Sequence, residues 1–144
     1  MTEFEKYRCK HFQIYELVDK RTFDEFGTKA WELFKEPALI ALDGIREFFA
    51  APVTINNWWN GIGSFQFRGF RPAWYQGGAT HSQHRLGNAF DFAVKGLSAE
   101  QVRQRIIENK DHELLKNIMR LEAAVNWVHF DCKPVELRIE VFHA

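Results

Sequence analysis

Residues 79–92, ATHSQHRLGNAFDF, pass from a polar turn containing glycine into an apolar run that carries a single aspartate. The alternation in NAFDFAV (88–94) reads as a strand with Phe90 and Phe92 on one face and Asp91 on the other. An aspartate in the middle of such a strand costs free energy unless it is hydrogen-bonded or bound to a cation. His84 stands seven residues ahead of Asp91, and Gly87 lets the chain turn between them. Two readings stay open at this point. Asp91 is either a buried carboxylate satisfied by backbone or by His84, or one part of a metal site.

Outward from this stretch, Glu36-Pro37 predicts a helix reaching about Ala50, because proline suits the first helical position. Leu39, Leu42, Ile45 and Phe49 recur at helical spacing, and Ile40 and Phe48 broaden that stripe. Upstream, YELVDK (15–20) and FGTKAWELF (26–34) read as short helical turns. PVTINNWW (52–59) reads as a strand, and the glycine-rich, aromatic residues 60–80 as a long loop. Loops of that length are usually functional or disordered, and so many aromatics argue against disorder. Ser98 with Gln101 makes a capping-box pattern ahead of a helix carrying Val102, Ile106 and Ile107. HELLKNIM (112–119) reads as a second helical piece. AVNWVHFDC (124–132) and VELRIEVF (135–142), broken by Lys133-Pro134, predict two strands of an antiparallel hairpin. Without regular βαβ alternation the class is α+β. One domain spans 1–144, with a helical part over 1–50 and the site-bearing core over 51–144.

Composition narrows the function. Nineteen basic residues balance nineteen acidic ones, which gives no electrostatic footprint for nucleic acid and no basic face for anionic membrane. No run of about 18 apolar residues predicts a membrane span. The opening MTEFEKYRCKHF lacks the apolar stretch of a secretory signal, so the chain is expected to be made in the cytoplasm and to act as a monomer. Cys9 and Cys132 lie far apart with no CxxC, and read as a reduced pair.

Of six histidines, His11, His112 and His143 read as surface residues, while His81, His84 and His129 lie near strands or the glycine-rich loop. Alternation in NWVHFD puts Trp127, His129 and Asp131 on one face, opposite Val128 and Phe130. A catalytic zinc takes three ligands from histidines and carboxylates and keeps a fourth position for water. His84, Asp91 and His129 would supply that set. No HExxH is present, which rules out a helix-borne zinc protease.

SQHRLGNAFDF resembles the S-x-H-x-x-G-x-A-x-D motif of the M15 family of zinc D-Ala-D-Ala peptidases, matching at Ser82, His84, Gly87, Ala89 and Asp91. NWVHFD is similar to that family's W-x-H segment, and FRGFRP to its G-[YF]-R segment. The first 50 residues carry no such signature. The resemblance implies a hedgehog/DD-peptidase-like antiparallel sheet flanked by helices. It also implies Zn²⁺ on His84, Asp91 and His129, and Arg71 as a substrate contact. The family's usual substrates are peptidoglycan stem peptides, and a phage lysis enzyme would fit. Ser82, Gln83 and Trp127 fall beside the implied site as substrate contacts; for Ser82 the alternative is a turn-stabilising role, and for Trp127 a core position.

The departure concerns the general base. Many members carry a glutamate three residues before the last histidine, where this chain has Asn126, and an amide cannot accept a proton at neutral pH. Glu122 is the nearest carboxylate upstream and Asp131 is its rival, the latter alternatively orienting a ligand imidazole. The alternative for Glu122 is a solvated helix-end residue. The missing glutamate raises a second reading, a non-catalytic metal-binding, phage structural or cell-wall-binding protein that keeps the fold.

Overall fold

The computed structural model describes residues 6–79 and 81–144. Three helices, α1 (Lys20–Phe26), α2 (Glu36–Phe49) and α3 (Ala99–Glu108), accompany five strands. These are β1 (Val53–Thr54), β2 (Ala89–Val94), β3 (Arg120–Glu122), β4 (Val128–Asp131) and β5 (Glu140–Phe142), in one sheet of order β1-β2-β4-β3-β5. The fold is α+β.

Alternation divides the sheet into two chemically different faces. Phe90 and Phe92 of β2 lie opposite Phe130 and Val128 of β4, and all four are buried. They pack with Leu39, Leu42 and Ile45 of α2 and Val102 and Ile106 of α3 in one hydrophobic core. Each such side chain contributes about 1.5–3 kcal/mol on burial. The other face carries Asp91 opposite His129 and Ala89 opposite Asp131. Arg120 of β3 lies opposite Asp131, and Phe142 of β5 opposite Glu122. The helical layer thus supports one side of the sheet and leaves the polar side to form a site.

The local signals explain the supporting elements. Pro37 lies in the first turn of α2, which ends at Ala50 in the left-handed region (φ 51°, ψ 38°). Ser98 and Gln101 form the reciprocal capping box of α3. Asp19 caps α1 by accepting from the Thr22 amide at 3.0 Å. Cys9 and Cys132 are free thiols. No helix among the described residues is long and apolar enough to cross a membrane.

Several expectations need correction. Ile40 does not broaden the core stripe of α2, being 38% exposed, whereas Phe48 does, packing half-buried against the core. PVTINNWW forms a ladder only over Val53–Thr54, because Asn56 turns its side chain and amide to the carbonyls of Val18 and Glu16 instead. HELLKNIM holds only a single 3-10 turn, Glu113–Leu115, with α2 passing so close at Gly44 that a Cβ there would strike the Leu114 carbonyl. The hairpin of the last two strands does not form. β3, whose Glu122 has a solvated helix end as its alternative reading, occupies the free edge of β4, and β5 pairs parallel to β3 on its outer side. Arg138 explains the crossing: its guanidinium donates to the carbonyls of Ile118 and Leu115, holding the connection ahead of β3. The sheet is therefore mixed rather than antiparallel.

Candidate metal centre

Three segments converge on the polar face. His84 sits in a 3-10 turn, Gln83–Leu86, capped by Ser82, whose hydroxyl accepts from the His84 amide at 3.2 Å. The turn ends at Gly87 with φ +67°, where a Cβ would also collide with the Leu33 carbonyl, so no other residue fits. Asp91 and His129 are cross-strand partners of β2 and β4. Residues 67–71 tie β2 to the His84 turn: Asp91 N–H donates to Arg68 O at 2.7 Å and Arg71 N–H to His84 O at 3.2 Å. At Gly69 a Cβ would meet the Leu17 carbonyl, and the Gly69 carbonyl accepts from His84 Nδ1 at 2.8 Å.

That last bond fixes the chemistry of His84. A carbonyl only accepts, so Nδ1 carries the proton and the neutral ring turns the Nε2 lone pair inward. His129 is held in the opposite sense. Its Nε2 faces Asp131 Oδ2 at 3.0 Å and its Nδ1 faces Asp91 Oδ1 at 2.9 Å, so a proton on Nε2 turns the Nδ1 lone pair to the same spot. Asp91 Oδ1 completes the group, 3.2 Å from His84 Nε2 and 2.9 Å from His129 Nδ1, while the two nitrogens are 3.3 Å apart. Ligand atoms 2.0–2.1 Å from a tetrahedral ion stand about 3.3–3.4 Å from one another. The two separations at His84 Nε2 match that spacing, while His129 Nδ1 and Asp91 Oδ1 stand closer, at hydrogen-bond distance; with both rings neutral and His129 protonated on Nε2, no proton lies among the three buried ligand atoms.

The two rings respond oppositely to this environment. Burial lowers the affinity of His84 for a proton, the charges of Arg71 and His129 act the same way, and its net shift is downward despite the Asp91 hydrogen bond. At His129 burial acts in the same direction, but hydrogen bonds to Asp131 and Asp91 outweigh it and raise the ring to about 9. Burial would raise Asp91, yet its bonds to His129 and His84 hold it well below the usual carboxylate range.

Asp131 is fully buried beneath the group. Its Oδ1 accepts from Arg120 Nε at 2.9 Å and the Lys133 amide at 3.1 Å, and its Oδ2 from Arg120 Nη2 at 2.8 Å as well as from His129. Arg120 lies over the Phe142 ring at 4.0 Å, and that ring meets His129 edge-on at 5.6 Å. Arg71 donates from Nε to Phe67 O at 2.9 Å and from Nη2 to the outer oxygen of Asp91 at 3.3 Å.

Above the three acceptors opens a cleft of about 390 Å³, lined among others by Arg71, His81, Ser82, Gln83, Glu122 and Trp127. Glu122 is half-buried and makes no hydrogen bond or ion pair among the described residues. Gln83 already accepts from Asn88 at 2.8 Å. Asn126 is exposed and borders a different hollow, behind Trp127. Arg120, Phe142 and the Gly69 carbonyl carry no local signal of their part in the site. Reading RLE (120–122) as a strand would have placed Arg120 and Glu122 on one face, two residues apart.

A family model described as Peptidase M15 matches residues 10–131. The chain belongs to the peptidase M15 family. All of the M15-like motifs, from Arg71 to Asp131, fall inside the match, and β5 with Phe142 lies beyond it. No curated protein and no solved structure matches the chain. M15 membership supports a peptidase, and the buried His84, Asp91 and His129 are the group that could hold its metal.

Proposed function

We propose that this M15 peptidase is a zinc enzyme of hedgehog/DD-peptidase type that hydrolyses peptide bonds in peptidoglycan stem peptides. The observation that carries the reading is the meeting of two imidazole nitrogens and one carboxylate oxygen, 2.9–3.3 Å apart, under an open cleft. Such a donor set, borderline nitrogen with carboxylate oxygen and one open position, suits zinc. When bound there, zinc polarises the scissile carbonyl and lowers the pKa of its water to near 7.

The chain's own residues do the rest. His84 and His129 are held in their ligating orientation by Gly69 O and Asp131. Glu122, on the cleft wall with no competing partner among the described residues, takes the proton of the attacking water and delivers it to the leaving amine. Asp131, whose oxygens already accept four bonds, serves as the positioning residue for His129. Arg71 has Nη1 without a partner among the described residues and presents it to a substrate carboxylate or to the developing oxyanion. Ser82, Gln83 and Trp127 border the substrate, although the Ser82 hydroxyl also caps the His84 turn.

A second reading, a non-catalytic binding protein, draws on Asn126 standing where many relatives have glutamate. Incubation with cell-wall fragments, with and without a chelator, separates the two. New peptide termini that vanish on chelation and return with zinc support hydrolysis; intact fragments under every condition leave the binding reading.

A further inference from the structure

β5 brings little to the hydrophobic core. Of its three residues, Glu140 and Val141 are exposed and only Phe142 is half-buried. Parallel pairing sets Glu140 beside Arg120 and Phe142 beside Glu122, so Phe142 shares the polar face of the sheet with both. Backbone bonds fasten the strand at either end of β3: Glu140 N–H donates to Met119 O at 2.9 Å, and Ala123 N–H to Phe142 O at 2.8 Å. The strand lies beyond residues 10–131, which match the family. Its one sheltered side chain borders the metal cleft, and its packing is explained there rather than in the core.

The ring touches two members of the site. Arg120 gives the edge of its guanidinium to Asp131, from Nε at 2.9 Å and Nη2 at 2.8 Å, and its flat face to the Phe142 ring at 4.0 Å. An ion pair open to water is screened and contributes little, whereas an aromatic ring over the guanidinium excludes water and adds its own attraction. Arg120, Asp131 and Phe142 all border the cleft, so without the ring the pair would meet cleft water. Asp131 in turn faces His129 Nε2 at 3.0 Å, and the Phe142 ring meets that imidazole edge-on at 5.6 Å. His129 cannot swing about its side-chain bonds without breaking the first contact or displacing the second.

We propose that Phe142 is a positioning residue of the metal centre: its ring shields the Arg120–Asp131 pair from cleft water and braces His129 for zinc. Apolar groups around a metal site govern how far water reaches the residues that orient its ligands, which is the part β5 supplies here. The effect on zinc rests on the metal reading of His84, Asp91 and His129; the shielding of Arg120 does not.

The test compares Phe142→Tyr, which keeps the ring, with Phe142→Leu, which keeps apolar bulk without it. Val141→Ala on the same strand controls for a general weakening of β5. Zinc affinity, read by competition with a chelator, is expected to fall about tenfold in Phe142→Leu and to stay within about twofold of wild type in the other two. A second readout needs no metal: exchange of the Arg120 Nε–H with water, followed by NMR on metal-free protein. It should be slow in wild type and Phe142→Tyr, and about tenfold faster in Phe142→Leu. Wild-type zinc affinity in Phe142→Leu, an equal loss in Phe142→Tyr or Val141→Ala, or Arg120 exchange unmoved by Phe142→Leu would each overturn the proposal. Wild-type protein that binds no zinc while the exchange difference persists would refute the metal reading alone.

Discussion

Two carboxylates compete for the role of base, and their surroundings separate them. Asp131 is enclosed, with Arg120, the Lys133 amide and His129 occupying its oxygens. Removing it takes the buried carboxylate from His129 Nε2 and from Arg120, leaving the guanidinium only its 3.8 Å contact with the half-exposed Glu140. Asp131→Ala is therefore expected to lower unfolding free energy by about 3–5 kcal/mol in a urea titration. Its zinc affinity should fall about 10–100-fold in chelator competition. Asp131→Asn, which retains an acceptor for His129, should lose less on both measures. The Glu122 side chain makes no hydrogen bond or ion pair among the described residues. Glu122→Gln should keep its melting temperature and its zinc while kcat on a stem-peptide substrate drops by about 10²–10⁴. A variant with wild-type kcat would return the base assignment to open ground.

The elements that carry the site depend on two backbone positions whose substitutions should act in opposite directions. Gly87 adopts φ +67° with the Leu33 carbonyl where a Cβ would lie, so Gly87→Ala should cost more than about 2 kcal/mol and displace the His84 turn. Ala50 ends α2 at φ 51°, in open left-handed geometry, and Ala50→Gly should raise the urea midpoint by the equivalent of up to about 1 kcal/mol. Much of this scaffold was legible beforehand. The Glu36-Pro37 start, the Ser98–Gln101 box and the alternation around Asp91 and His129 are local signals, and each is written in adjacent residues. The misreadings concern non-local choices. Nothing within RLE or VELRIEVF says that β3 will fill the edge of β4 or that β5 will cross to its far side. That outcome depends on Arg138 reaching carbonyls some twenty residues earlier in the chain. The clamp from Arg120 to Asp131 was hidden for the same reason, because it exists only once β3 and β4 are neighbours.

At the scale of the molecule, one sheet face is spent on the core and the other collects His84, Asp91, His129, Asp131, Arg120 and Glu122. These three ligand atoms are brought together only in the folded chain, so zinc binding should couple to global stability. Zinc at about a hundred times its dissociation constant should add about 2.7 kcal/mol, read as a rise in melting temperature that a chelator reverses. The most direct measurement is the zinc content of protein purified without any metal-affinity step, alongside His84→Ala and His129→Ala variants. The structure leads us to expect one zinc per wild-type chain and a strong loss in both variants. A wild-type ratio near zero that added zinc fails to raise, or full occupancy in either variant, would contradict the three-ligand site.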